Sequence, residues 1–416
     1  MTTSQASPTT AGTGNAPSHQ QQTADPRFKL NWRNGSSTFL VALASLMMAN
    51  LAPHVLTALG SLGFGVIEGG NVLTWALFAS AIVGLTSARF TAGPLRRPLA
   101  AVGLGVATVA FTAGTFIADP TVAATALIVG GAGVGTAIST SGAAIAALRN
   151  PNRTAAASGL TNRVLIALVL AIIPVIGISQ LSVFGTLALI SLVALALTVW
   201  LPGTPTHAEP VDVTSTLKIA APKRITVAGI AVLFVFALWG TSEDAIWTMA
   251  PVLGDALGVS EQALGFTLSL AATGGIIGML LVTVAGARIG RAVPLAIALV
   301  LGGICKVAIG YTTDPVVLSA LIIAVNTVYA FAFTLFISTA AGLDARGRWS
   351  GPLIGAYLVG SSFAPILGGV LIESLGVPTF TLIMGLVSFA AIIPTVAIAR
   401  VSVGAERALA RYPQAA

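Results

Sequence analysis

Charge is the scarcest commodity in this sequence: 8% of its 416 residues are Asp, Glu, Lys or Arg, while 56% are hydrophobic and the mean hydropathy is +0.94. Soluble domains carry about a quarter charged residues, so a water-soluble globular fold is excluded. A single cysteine, Cys305, rules out an internal disulfide, and with three histidines no Cys/His spacing resembles a metal centre. No basic patch with interleaved aromatics exists, which removes nucleic acid as a partner. The run Gly130-Gly131-Ala132-Gly133-Val134-Gly135 lacks the following Lys of a phosphate-cradling loop and reads as close helix packing. No cofactor is expected. Neither is an enzyme, which would need a clustered nucleophile, base or metal ligands.

What the sequence has in abundance is long apolar runs. Crossing roughly 30 Å of hydrocarbon takes about 20 residues of helix, and the runs predict an all-α integral membrane protein with spans at 37–59, 67–87, 99–118, 121–147, 155–177, 182–201, 225–251, 262–284, 292–311, 316–342, 351–373 and 379–399. All of the 20 Lys and Arg residues except Arg163 and Lys306 fall at alternate ends of these spans, from Arg27, Lys29 and Arg33 to Arg400, Arg407 and Arg411. The excess of basic residues on cytoplasmic loops makes that side cytoplasmic, with both termini there. Glu68, Asp119, Asp255, Glu261, Asp314 and Glu373 gather at the other side, so the net charge of +7 reflects topology. The Ser/Thr/Gln/Pro-rich residues 1–26 read as disordered and carry no signal-peptide pattern, which leaves the first span as the targeting element. The division expected is a tail at 1–35, a six-helix bundle at 36–201, a linker at 202–224, a second bundle at 225–400 and a tail at 401–416, acting as a monomer in a plasma membrane.

The two bundles repeat each other. Residues 51–60, LAPHVLTALG, match 249–258, MAPVLGDALG, at five of ten positions. Asp119-Pro120-Thr121-Val122 pairs with Asp314-Pro315-Val316-Val317, the same offset sets Arg153 on Arg348, and Ala88-Arg89 pairs with Ala287-Arg288. Two six-helix halves in parallel orientation, twelve spans in all, with substrate held between them, are one transporter architecture. The sequence resembles the major facilitator superfamily over about residues 36–400. The eleventh span, GAYLVGSSFAPILGG at Gly355–Gly369, resembles the glycine-proline pattern of drug and sugar exporters. Arg346-Gly347-Arg348 to Gly351 and the run from Arg153 to Gly159 are similar to their flanking turns, pointing towards the drug-proton antiporter and arabinose-efflux branch. Where that branch places an Asp before the arginine after the second span, Ala88 and Ala287 stand here, although Arg288-Ile289-Gly290-Arg291 keeps the rest of the second copy. The resemblance implies proton-coupled efflux of a small organic molecule, with import of a small anion or carboxylate as the alternative; a receptor or scaffold without transport is the reading from a different class. It also gives Arg89, Arg288, Arg291, Arg153 and Arg348 roles in conformational gating.

A charge inside a span is retained at a cost of about 2.5 kcal/mol or more, so it points to function. Glu243 lies roughly 18 Å in from Asp255 and shares a helical face with Trp239 and Trp247. A carboxylate among indoles suits a proton carrier, or it is a structural partner. Asp244, which points about 100° away, is a second proton-coupling candidate. His54, at i+4 from Asn50, is the lone histidine in a span; it could carry a proton or satisfy a carbonyl freed by Pro53. Arg163 sits about 15 Å beyond Arg153, too deep to reach the interface, and extends the polar arc of Ser158, Thr161 and Asn162. It is expected to face a central cavity and hold a substrate anion or pair with a carboxylate. Asn50, Asn162, Trp239, Trp247, Asn326, Tyr329 and Tyr357 are further substrate-binding candidates. Lys306, near the outer end of its span, is expected to snorkel to the interface.

Overall fold

The computed structural model describes residues 27–91, 93–203, 223–343 and 348–411, and all regular structure among them is helical apart from one isolated bridge, Phe28 to Leu148. The segments 1–26 and 204–222, expected as a tail and most of the linker, and Arg346 with Gly347 lie outside the described residues. The helices are α1 Trp32–Asn50, α2 Ala52–Ser61, α3 Val66–Ser87, α4 Arg96–Phe116, α5 Pro120–Ala146, α6 Pro151–Ile176, α7 Gln180–Leu197, α8 Lys223–Thr248, α9 Ala250–Asp255, α10 Glu261–Ile289, α11 Ala292–Tyr311, α12 Pro315–Ala341, α13 Ser350–Ser362 and α14 Ala364–Arg411. Ten stretches among the described residues are long and apolar enough to cross a membrane, or eleven if the bent pair α1 and α2 is one span.

The last of those stretches, Pro352–Arg407, has 56 residues, far more than one crossing needs. Its continuity breaks at Gly376, whose φ of 79° and ψ of 164° are open to glycine and strained for other residues. Gly177, at φ 94°, ends α6 in the earlier part of the chain in the same left-handed region.

Local chemistry explains why the two repeats fold alike. In both, an Ala-Pro pair restarts the helix after a break, because proline lacks the N–H that would continue the ladder and favours the first turn of a new helix. Leu51 breaks at φ −90°, ψ 8° and Met249 at φ −83°, ψ 3°. Asp119 and Asp314 each cap a 27-residue helix that begins with proline, accepting from Val122 N at 3.0 Å and from Val316 N at 2.7 Å.

The glycine run of α5 does what small residues do in membranes. A Cβ on Gly131 would collide with the Ala76 carbonyl of α3, and one on Gly133 would meet the Gly103 carbonyl of α4. Arg96, read from sequence only as a loop charge, is buried and donates to Thr91 O at 2.9 Å, Pro202 O at 3.0 Å and Gly203 O at 2.8 Å. It ties the start of α4 to the segment after α7.

Helices from the two repeats meet closely near the ends that carry the acidic residues. A Cβ on Gly70 of α3 would stand 2.7 Å from the Pro365 carbonyl of α14, and Ile366 N donates to Thr74 Oγ1 at 3.1 Å. Ile67 N, in the unsatisfied first turn of α3, donates to Glu373 Oε1 at 3.3 Å.

Candidate functional site

Between the repeats lies a cavity of about 360 Å³, walled by α1 and α6 from one and by α8, α10, α12 and α13 from the other. From Asp244 and Trp247 it extends past Gly159 and Met279 to Thr334 and Ile354, nearer the helix ends that carry the basic residues. Volumes of this order hold small organic ligands.

On α8, Glu243 and Asp244 both border the cavity although they are adjacent in sequence. Glu243 is buried, and its Oε1 accepts from Lys306 Nζ at 2.7 Å. Lys306 is completely buried and also donates to Ser242 Oγ at 2.8 Å and Ser388 Oγ at 2.9 Å, so each of its three protons has an acceptor. The expectation that Lys306 snorkels is therefore corrected. Its side of α11 also carries buried Gly302 and Gly303, where a Cβ at Gly303 would strike the Phe389 ring, so that face packs inward and no path leads to the interface. Glu243 Oε2 is buried with no hydrogen-bond partner among the described residues.

Asp244 accepts from Tyr357 OH at 2.7 Å and from Ser361 Oγ, and Tyr357 OH lies 2.7 Å from Tyr329 OH. A hydroxyl relay of two tyrosines thus ends on a carboxylate at the cavity wall. Trp239 is almost wholly buried and stacks on Phe236 and Tyr329, with ring centroids 6.0 and 5.5 Å apart. It stands behind the wall, away from the lining where substrate contact was expected. Trp247 does line the cavity and donates to Asn50 O at 3.2 Å, joining the repeats.

Across the cavity, α6 presents Asn162 and Arg163. Arg163 Nη1 donates to Asn326 Oδ1 at a long 3.4 Å, and no carboxylate of the described residues comes within 4.0 Å of the guanidinium. Asn162 is 5% exposed and its Oδ1 has no partner among the described residues. Asn50 bonds back to Leu46 O at 2.8 Å on its own helix and reaches the lining.

His54 lies outside the cavity lining. Fully buried, it approaches Leu170 O through Nε2 at 3.4 Å, and that carbonyl is freed by Pro174 of α6. The freed carbonyl belongs to a neighbouring helix and not, as expected, to the turn before Pro53.

The arginines proposed for gating scatter. Arg89 is exposed and rests on Phe90 at 4.6 Å, and Arg153 is exposed. Arg348 lies over Trp349 at 4.9 Å. Arg291 pairs with Glu406 at 3.1 Å and donates to Ser402 Oγ at 3.1 Å, which fastens the start of α11 to α14 within one repeat. The side chain of Arg288 lies outside the described residues. Sequence reasoning missed Lys306, Ser242, Ser388 and Ser361. The available signal was parity: Lys306 and Glu243 are opposite charges in separate spans, each costly unless paired.

Comparisons with known proteins agree with this architecture. Residues 228–413 match the family model described as Major Facilitator Superfamily. Among solved structures, the fold is similar to that of the D-xylose-proton symporter at TM-score 0.69 and 14% identity, covering 87% of this chain and 95% of that one. Likewise it is similar to the human organic anion transporter MFSD10 at TM-score 0.64 and 16% identity, covering 87% and 99%. The nucleoside transporter NupG gives 0.61 and 16%, covering 87% and 98%. No curated protein sequence matches.

Proposed function

We propose that this chain is a multi-pass secondary transporter of the major facilitator superfamily, exporting a small organic molecule in exchange for protons as in the drug-proton antiporter branch. The break at Gly376 divides the last long helix into two crossings, and with α1 and α2 as one span the total becomes twelve, in two six-helix bundles with both termini cytoplasmic. The observation that carries this reading is the cavity: it lies between the repeats and holds a carboxylate pair on one wall and, on the other, an arginine with no acidic partner among the described residues. Close backbone approach at Gly70 and Pro365, with the cavity extending towards the basic ends, fits a state facing the cytoplasm.

Glu243 is the coupling residue in this proposal and Asp244 its companion. A proton on Glu243 removes the negative partner of Lys306 and leaves that ammonium to Ser242 and Ser388 alone, which gives the two repeats a reason to repack. His54, outside the lining, has the bland role of closing a proline gap. An import direction is the second reading, favoured by Arg163, since an uncompensated cation at mid-membrane suits capture of an organic anion.

Proteoliposomes loaded with a candidate substrate and an imposed proton gradient test both. Gradient-driven movement should vanish in Glu243→Gln while substrate exchange without a gradient persists. Full gradient-driven transport by that variant would overturn the coupling assignment, and accumulation along the inward proton gradient would replace export with import.

A further inference from the structure

Taking the cavity as the substrate site of the proposed transporter, we infer that its cargo is a small zwitterion whose ammonium and carboxylate sit at opposite ends of an apolar spacer. Glu243, Asp244 and Arg163 are the charged side chains that line the cavity, and only Glu243 has an opposite charge within 4.0 Å among the described residues. That partner is Lys306, whose three protons go to Glu243, Ser242 and Ser388. Asp244 on α8 and Arg163 on α6 are thus left as an acid and a base on facing walls, neither of them paired with a charge. An anionic ligand would answer Arg163 and leave Asp244; a cationic one would do the reverse. A zwitterion answers both, so that closing the site around it strands no charge away from water.

Both groups keep atoms free for a ligand. Tyr357 OH and Ser361 Oγ donate to the same oxygen of Asp244, Oδ2. Gly240, one turn earlier on α8, makes room for the Tyr357 ring, which a Cβ there would strike, so the carboxylate is anchored through that oxygen. Oδ1 receives no donor among the described residues and, unlike Glu243 Oε2, is not fully buried. Arg163, half-buried, makes one long bond to Asn326 and keeps its other N–H donors for a carboxylate, the group its fork matches bidentately. Gly275 of α10 keeps the guanidinium accessible, since a Cβ there would stand 3.2 Å from Arg163 Nη1 and 3.3 Å from Asn326 Oδ1. Asn326, which meets Arg163, and Tyr329, which reaches Asp244 through Tyr357, are about 4.5 Å of rise apart on α12. The two charges therefore occupy separate stations, and a ligand that spans them needs several bonds between its own. Ile246, Trp247, Val325 and Phe333 give the rest of the wall an apolar and aromatic character that suits such a spacer, and aromatic faces also attract an ammonium.

Equilibrium binding to the purified full-length protein tests this without requiring transport. The probes are 6-aminohexanoate, 4-(aminomethyl)benzoate, hexanoate, hexylamine and glycine. One of the two long zwitterions should bind most tightly, and hexanoate and hexylamine should each be weaker by about 10- to 100-fold, the range for losing a hydrogen bond to a charged group. Glycine, with its charges too close together, should bind no better than the singly charged probes. Asp244→Asn should bring 6-aminohexanoate down to the affinity of hexanoate, and Arg163→Gln should bring it down to that of hexylamine. Should either variant fail to fold, the ranking of probes on the unmodified protein decides alone. The inference is overturned if hexanoate or hexylamine binds as tightly as the zwitterions, if glycine binds more tightly than they do, or if neither long zwitterion binds at millimolar concentration. Tight, zwitterion-selective binding without movement in proteoliposomes would instead sink the transporter reading and leave this one standing, whereas transport of singly charged molecules alone would do the opposite.

Discussion

The two repeats solve the problem of intramembrane polarity in opposite ways. In the later one, charge is compensated where it stands: Lys306 has Glu243, Ser242 and Ser388, and Asp244 has Tyr357 and Ser361. In the earlier one, Arg163 faces the cavity with one long bond to an amide, whereas a buried oxygen without a partner among the described residues occurs in both, Asn162 Oδ1 in the earlier and Glu243 Oε2 in the later. Buried polarity is tolerated when it is satisfied internally or when something arriving satisfies it. In the proposed reading, the later repeat holds its own charges and the earlier one offers Arg163 to a ligand.

Four substitutions break or sharpen that contrast. Lys306→Ala has the largest expected effect, because it leaves the buried Glu243 carboxylate without its cation; loss of one partner of a buried pair costs about 3–5 kcal/mol. Thermal unfolding in detergent would measure it, and the double variant Glu243→Gln, Lys306→Met should recover most of the loss. If the double variant is as unstable as the single one, the pair is not the cause. His54→Leu comes next. It leaves the Leu170 carbonyl unsatisfied for about 1 kcal/mol, the low end of the range for an orphaned acceptor given the 3.4 Å bond, while gradient-driven transport should be unaffected; loss of coupling with intact folding would return His54 to the proton path.

Trp247→Phe removes the bond to Asn50 O that crosses between the repeats, and should lower stability by about 0.5–1.5 kcal/mol. Its sharper readout is the distribution of states: cysteine cross-linking between α3 and α14 near Gly70 and Pro365 should fall, and unchanged cross-linking would deny that bond a role in closure. Smallest of all is Arg163→Met, which removes a cation that the fold does not compensate. Unfolding should shift by no more than about 0.5 kcal/mol while acid binding is lost. A destabilisation as large as that of Lys306→Ala would erase the distinction between the repeats.

Most elements were legible because membrane helices announce themselves. Once water is absent every backbone group must bond internally, so apolar run length and proline or aspartate punctuation fix where helices run. Residues 292–311 were placed to the residue, and Pro120–Ala146 within one. Arg163 at the cavity followed from depth alone, since no stem could carry its charge to either surface. Lys306 failed by the same reasoning. Its distance from the membrane edge allowed snorkelling, and nothing local to α11 reveals that Glu243 and Ser388 wait on other helices. The indole beside Glu243 misled similarly, because a shared helical face says which residues align but not which neighbour covers them.

By itself, then, the sequence determined that the chain is an all-helical membrane protein built from a repeated unit, where each helix breaks, and which charges demand an explanation. The Ala-Pro breaks at Leu51 and Met249 and the aspartate caps at Asp119 and Asp314 are local chemistry, complete within a few residues. Only the tertiary structure decided who answers each charge. Glu243 and Lys306 are far apart in sequence, and Asn162 and Arg163 gain their meaning from a cavity whose other wall comes from α8, α12 and α13. Pairing and cavity shape depend on helix packing across long loops, and packing energy is summed over many weak contacts that no short stretch of sequence encodes.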